Sequence, residues 1–257
     1  MSAPVFLAEP GTLEGFDVGS VYVLDGAEGR HAAVVQRRRA GERVDVVDGA
    51  GMRLVGTVEA ATPDGLRVVV AQRVVEPAPG VALVLVQALA KGDRDEQAIE
   101  ASTEVGVDAV LPWRAERSIV VWRADRAVKS LARWQAVVRA AAKQSRRAYV
   151  PQVQPVVDHR GLAERVRSVV AAGGAALVLH EEASVPIADV TLPALAGTGA
   201  REVLVVVGPE GGISDRELAG LIDAGAQVVR LGPHVLRTST AGPVALALLA
   251  QRLGRWA

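Results

Sequence analysis

The chain has 257 residues, half of them hydrophobic, with 29 basic against 29 acidic side chains and no cysteine. That length suits one large domain or two small ones burying roughly three quarters of the unfolded surface, and the missing cysteine excludes disulfides, thiolate catalysis and cysteine-ligated zinc or iron–sulfur sites. No apolar run reaches the roughly 18 residues that span a bilayer, residues 1 to 20 lack a secretory layout, and His31, His159, His180 and His234 show no metal-ligand spacing, so a soluble cytoplasmic protein without a membrane or metal partner is expected.

Residues 1–75 carry short alternating stretches, SVYVLD, ERVDVVDG, LVGTVEA and LRVVVAQRVV, separated by Gly, Asp and Pro. Regular turn signals between short strands predict a small antiparallel barrel, with DGAG at Asp48 to Gly51 as a hairpin turn. A basic cluster, QRRRAGER, lies within it at Gln36 to Arg43. EPAPG, Glu76 to Gly80, reads as a linker, because Pro and Gly cluster there and the pattern beyond it changes.

From Val81 strands alternate with helices. Residues 81–87, 107–111, 175–179, 202–207 and 227–231 are almost continuously apolar, as strands covered on both faces are. Helical patterns at residues 93–106, 124–147 and 159–174 lie between them, two of them ending on glycine. This predicts an α/β domain over residues 81–257 with a mostly parallel sheet, whose ligands bind beyond the carboxyl ends of the strands. Between Pro112 and Val150 ten basic residues face two acidic ones. Such an excess suits a polyanion, although a solvated helix face produces the same pattern. Aromatic residues are 3% of the chain, too few for an extensive base-stacking platform.

The stretch VLVVVGPEGGISDREL, Val203 to Leu218, ends a buried strand with Gly208, Gly211 and Gly212, which allow positive φ and close approach to the main chain. Ser214 and Glu217 form a capping box, so a helix begins at about Asp215. The spacing fits neither GxGxxG nor a Walker loop, and Glu210 would repel phosphate. A tight strand-to-helix turn or one wall of a ligand pocket remain as explanations. A second such exit, RLGPHVLRTSTAGP from Arg230, holds Arg237, Thr238, Ser239 and Thr240 before a final apolar helix. Arg237 is either a stabilising cation or the partner of a carboxylate, and the hydroxyls are candidate caps for a helix with Pro243 in its first turn. With a third loop at LHEEAS, Leu179 to Ser184, these segments place free main-chain groups around one pocket suited to a neutral ring such as adenine.

VVVGPEGGISDREL together with VRLGPHVLRTSTA resembles the signature of the RsmE family of SPOUT methyltransferases, which methylate uridine N3 in small-subunit (16S) ribosomal RNA. HAAVVQRRRAGERVDVVDGAG, ALAKGDRDEQAIEASTEVGVDAVLPWRAERS and RWQAVVRAAAKQSRRAYVP are similar to further family segments in the same order, over nearly the whole chain. The resemblance implies an amino-terminal PUA-like β-barrel that binds RNA, a carboxyl-terminal domain with a trefoil knot, S-adenosylmethionine as cofactor and a homodimer. It implies cofactor contacts from Leu179, Gly208, Glu210, Gly211, Gly212, Leu231, Gly232, Leu236, Arg237 and Thr238. RNA contacts, to the free small-subunit RNA or the assembled 30S subunit, are implied for His31, Arg37, Lys91, Arg94, Gln144, Arg146 and Arg147. The chain departs from the family in three places: Ser239 stands where a glutamate is common, Ala101 where a lysine is common, and MSAPVFLAE lacks an amino-terminal arginine.

Methyl transfer from a sulfonium is an in-line displacement with an activated donor, so the protein chiefly positions the acceptor nitrogen. Uridine N3 carries a proton that a base removes or whose loss positive charge favours. Arg237 is the catalytic candidate, as stabiliser of that anion; His234 reads as a polar loop residue. Two other functions share these features, methylation of another RNA such as transfer RNA and a non-catalytic RNA-binding role in ribosome assembly.

Overall fold

The computed structural model describes residues 3–122, 125–194 and 201–256. The chain divides into two compact units, Met1–Ala78 with Ala142–Val150, and Pro79–Ala141 with Pro151–Ala257. Residues 142–150 thus join the first unit from far along the chain, a return that no composition shift marks.

In the first unit β1 (Val5–Leu7), β2 (Val21–Leu24), β3 (Arg43–Val47), β4 (Met52–Thr62) and β5 (Gly65–Val75) form one sheet in the order β1-β3-β4-β5-β2. The alternating stretches supply β2 to β5, which pair antiparallel, whereas β1 pairs parallel with β3. Period-two burial drives this arrangement: Val44, Val46, Leu54, Val58, Leu66, Val68 and Val70 all turn into one core with Phe6 and Leu13. The DGAG turn is closed by the Asp48 carboxylate, which accepts from the N–H groups of Ala50 at 2.8 Å and Met52 at 3.0 Å. A short helix, α1 (Gly26–Arg30), continues into one π-helical turn at His31–Val35. The sequence gives little sign of it, since it starts on glycine and Asp25 makes no side-chain cap.

The second unit is a seven-stranded sheet. Its elements are β6 (Val81–Ala88), α2 (Arg94–Glu104), β7 (Ala109–Trp113), α3 (Asp125–Gln144), β8 (Gln152–Val153), α4 (His159–Ala171), β9 (Ala175–Leu179), β10 (Val185–Pro186), β11 (Arg201–Val207), α5 (Asp215–Asp223), β12 (Gln227–Arg230) and α6 (Thr238–Arg252). The last three residues of α3 belong to the first unit. Ala124, where the sequence starts this helix, and Arg123 of the basic run lie outside the described residues. The strand order is β10-β12-β9-β11-β6-β7-β8 and every pair is parallel.

The continuous apolarity of these strands follows from cover on both faces. Val84, Val86, Val178, Leu204 and Val206 pack with Leu162 and Val166 of α4 and Leu221 of α5. On the opposite face α2 and α6 pack together, and both lie against β6. Helix α2 closes as the sequence indicates: Gly106 takes φ 105°, and the N–H groups of Gly106 and Val107 reach the carbonyls of Thr103 and Ser102. Among the described residues no helix is long and apolar enough to cross a membrane.

The carboxyl-terminal end of the chain is tied to the start of the sheet. Arg255 donates to the Gly106 carbonyl at 3.0 Å, to the Asp108 carboxylate at 2.6 Å and to the Val81 carbonyl, while Asp108 also accepts from Leu83 N–H at 2.7 Å. Removing a charged partner from such a cluster costs about 2 kcal/mol. Arg255→Met should lower the unfolding free energy by that amount, seen as a lower urea midpoint with an unchanged slope; a loss under about 0.5 kcal/mol, typical of a surface substitution, would show that the clamp carries no stability.

Candidate functional site

Parallel pairing places the carboxyl ends of β9, β11 and β12 on one edge of the sheet, and the loops that leave them surround a cavity of about 470 Å³. β11 and β12 are not neighbours; β9 lies between them, so the loop after β9 sits at the middle of the site. That loop brings Leu179, His180 and Glu181, the loop after β11 brings Gly208 to Glu210, Gly212 and Ile213, and the loop after β12 brings Leu231 to Arg237. Thr238 and Ala241 of α6, with Val207, Arg230 and Arg94, complete the lining. A volume of this size with apolar side chains and a few polar groups fits a small-molecule or cofactor site.

Hydrogen bonds hold the loops in place. The Thr238 hydroxyl donates to the Gly208 carbonyl at 2.8 Å and accepts from the amide of Gln87, a fully buried residue near the end of β6, at 2.9 Å. The expectation that the hydroxyls cap α6 does not hold for Thr238: it is the first helical residue, Arg237 occupies the cap position without a side-chain bond, and Pro243 falls in the second turn. The capping box at the start of α5 is present as read, Ser214 and Glu217 exchanging side-chain and main-chain bonds. Fully buried Glu217 also accepts from Glu116 N–H at 2.8 Å, and the Ser214 hydroxyl donates to Glu116 at 2.7 Å. That hydroxyl first, then Arg216, holds the Glu116 carboxyl below its ordinary value.

Of the ten cofactor positions implied by the resemblance, nine line this cavity: Leu179, Gly208, Glu210, Gly212, Leu231, Gly232, Leu236, Arg237 and Thr238. Gly211 does not. A β-carbon there would meet Arg117 at 3.2 Å, and its carbonyl accepts from the Arg117 guanidinium at 3.2 Å, so its small size serves packing behind the loop. Gly212 takes φ 73°, the left-handed conformation that the turn requires. The exposed Arg237 guanidinium makes no ion pair or hydrogen bond among the described residues, which removes the alternative of a carboxylate partner. His234 lines the cavity as well. His180, Glu181 and Arg230 entered the sequence reading of the site only as parts of the three loops, and Gln87 only as the end of a strand; for Gln87 a signal existed, a lone polar residue closing an apolar strand.

Glu210 does not face the cavity as an uncompensated charge. Its carboxylate accepts from the Arg94 guanidinium at 3.0 Å and from Lys91 N–H at 3.2 Å. Two residues implied as RNA contacts therefore brace the cavity loop, and Arg94 lines the cavity itself. The other five lie in the first unit. Arg37 and Arg146, both exposed, adopt left-handed backbone with φ 54° and 61°, a conformation costing a non-glycine residue about 1 kcal/mol. Exposed Gln144 and half-buried Arg147 flank the second of these turns, whose Arg146 carbonyl accepts from Arg53 at 2.9 Å. Half-buried His31 contacts Gln36 at 3.1 Å, and Lys143 pairs with Glu28 at 2.8 Å, which brings the helical turn of His31 near the end of α3.

Burial pushes the Glu210 carboxyl up, but the N–H groups of Glu210 and Lys91 and the Arg94 guanidinium outweigh it and hold the group below its usual value. A depressed folded value means that this stabilisation is complete above the ordinary glutamate value of about 4.3 and is lost as pH falls through the lower folded one. The melting temperature of the native protein should exceed that of Glu210→Gln by a constant margin from neutral pH down to about pH 5, a margin that closes below about pH 4. A margin independent of pH would rule out the carboxylate as its source.

Comparison with known proteins agrees with this geometry. Residues 76–250 match the RNA methyltransferase domain family. The ribosomal RNA small subunit methyltransferases E of Mycobacterium bovis and Mycobacterium tuberculosis are each 50% identical over 240 residues, covering 93% of this chain and 90% of theirs. A crystal structure of the ribosomal RNA small subunit methyltransferase E of Neisseria gonorrhoeae, bound to S-adenosyl methionine, superposes with a TM-score of 0.83 at 28% identity over 98% of both chains. The chain belongs to the ribosomal RNA small subunit methyltransferase E family, the RsmE family to which its glycine loops point.

Proposed function

We propose that this protein transfers the methyl group of S-adenosylmethionine to N3 of a uridine in small-subunit ribosomal RNA. The observation that carries the reading is the cavity at the carboxyl ends of β9, β11 and β12, whose lining includes nine of the ten positions implied for the cofactor, in a chain half identical to methyltransferases of that RNA. The residues present fit the cofactor. Leu179, Leu231, Leu236 and Ile213 offer apolar walls for an adenine ring, the bare backbone at Gly208, Gly212 and Gly232 offers main-chain donors and acceptors, and Glu181 suits a cationic ligand.

The chemistry such a cofactor supplies is a methyl already activated on a sulfonium. What the chain contributes is placement and charge. The loops exclude water and fix the ligand, and Arg237, unpaired at the rim, favours the uridine anion that forms when the N3 proton leaves. The target must be unpaired, because the edge that reacts is the one that pairs. RNA is held by Arg37, Arg146, Arg147, His31 and Gln144 on the first unit, with Lys91 and Arg94 beside the cavity.

The same reading makes residues 1–75 a PUA-like barrel, 76–80 a linker and 81–257 a SPOUT domain with a trefoil knot. The knot is supported by the chain path. After β9 the chain runs to β10 at the sheet edge, returns to β11 on the other side of β9, then inserts β12 between β9 and β10 before α6 packs against α2, β6 and β11. The protein works as a cytoplasmic homodimer; exposed Val235 by the cavity and Leu248 on α6 are apolar side chains for a second copy to cover.

Mass spectrometry of nucleosides, after incubating the protein with S-adenosylmethionine and unmodified small-subunit RNA or 30S subunits, should show 3-methyluridine at one site; no methylated nucleoside from either substrate overturns the reading. Arg237→Ala should lower the transfer rate at saturating cofactor by about 100-fold, the usual effect of deleting a charge-stabilising group. Near-normal transfer would remove Arg237 from the chemistry.

A further inference from the structure

We propose that Gln87 is a positioning residue of the cavity: as a two-donor amide it makes the Thr238 hydroxyl give its proton to the Gly208 carbonyl, fastening the loop after β11 to the first turn of α6. Gln87 is fully buried, in register with Val207 of β11, and shares the face of β6 that carries Leu85. Leu85 in turn packs against Gly242 of α6. The amide therefore stands between the two elements whose first exposed main chain forms the cavity.

The direction of each bond follows from counting protons. The Gly208 carbonyl only accepts, so the hydroxyl that contacts it at 2.8 Å must donate. Having spent its one proton, the hydroxyl accepts from Gln87, which fixes the amide nitrogen toward Thr238 at 2.9 Å. The second N–H of that nitrogen goes to the Ala88 carbonyl at 3.2 Å, another pure acceptor. Reversing the amide would set its oxygen against a carbonyl and invite the hydroxyl proton away from Gly208. Gln87 Oε1 is buried and finds no partner among the described residues, an arrangement that costs stability and that a methionine would avoid. What the position gains is donor polarity. Gly208, Thr238 and Arg237, the residue just before Thr238, all line the cavity, so the lock sets the gap between the loop and the catalytic arginine. As a statement about cofactor binding it rests on the reading of the cavity given above.

The test compares Gln87→Met, Gln87→Glu, Thr238→Ser and Thr238→Val by calorimetric titration with S-adenosylmethionine and by hydrogen exchange of the Gly212 amide, which bonds the Pro209 carbonyl at 2.9 Å, in cofactor-free protein. Gln87→Met keeps the length and removes the donor, so it should weaken binding about tenfold and speed the exchange. Gln87→Glu, fully buried beside a carbonyl, stays protonated and keeps one O–H donor, so it should lie between Gln87→Met and the native protein. Thr238→Val should match Gln87→Met and Thr238→Ser the native protein. A role in packing alone leaves Gln87→Met at native affinity and exchange, and that result, or equal affinity and exchange in the two Thr238 variants, overturns the proposal. Failure of the native protein to bind S-adenosylmethionine would sink the reading of the cavity, and the exchange measurement would still decide the lock.

Discussion

All seven strands of the second unit run parallel, so every strand ends on the same edge of one sheet. The site depends on this constraint. Three loops distant in sequence meet because β9 lies between β11 and β12, and each must leave its strand over the same rim. Main-chain groups beyond the last ladder bond have no strand partner and are available to a ligand. A β-carbon at 208 would meet Ile213 at 2.8 Å and Gly212 takes a positive φ, so both glycines fit the tight exit from β11, and the Thr238 hydroxyl bonds the Gly208 carbonyl there instead of capping α6.

Charge has a more local purpose than the sequence suggests. Arg133 pairs with Asp93 at 3.2 Å and also with Glu96, Arg114 lies 3.8 Å from Asp158, and Arg117 holds the Gly211 carbonyl. Exposed pairs of this kind each contribute at most about 1 kcal/mol, but they fix the loops of the second unit. The basic run is therefore partly scaffolding. Arg37 and Arg146 are exposed and both held in left-handed turns. Arg53 secures the second of these by bonding Asp45, Glu76 and the Arg146 carbonyl together.

Much was legible because its causes are local. Residues 175–179 and the capping box at Ser214 occur where the sequence sets them, since apolar runs and caps depend on neighbours a few residues away. The helix at Gly26–Val35 was hidden because its glycines and missing cap give no local signal. β8 and β10, two residues each, are too short to leave a periodic trace. The glycine loops announced a ligand site, whereas Gln87 read only as the end of a strand.

What the sequence by itself determined is the family, the longer strands of both units and the helices between the parallel strands, all recorded in contiguous residues. Only the tertiary structure decided that β9 separates β11 from β12, that Arg94 turns to Glu210, and that residues 142–150 rejoin a unit the chain left at Ala78. Those outcomes depend on which distant strands pair and which faces bury, and the free energy of such pairings belongs to the whole packed sheet instead of to any window of the chain.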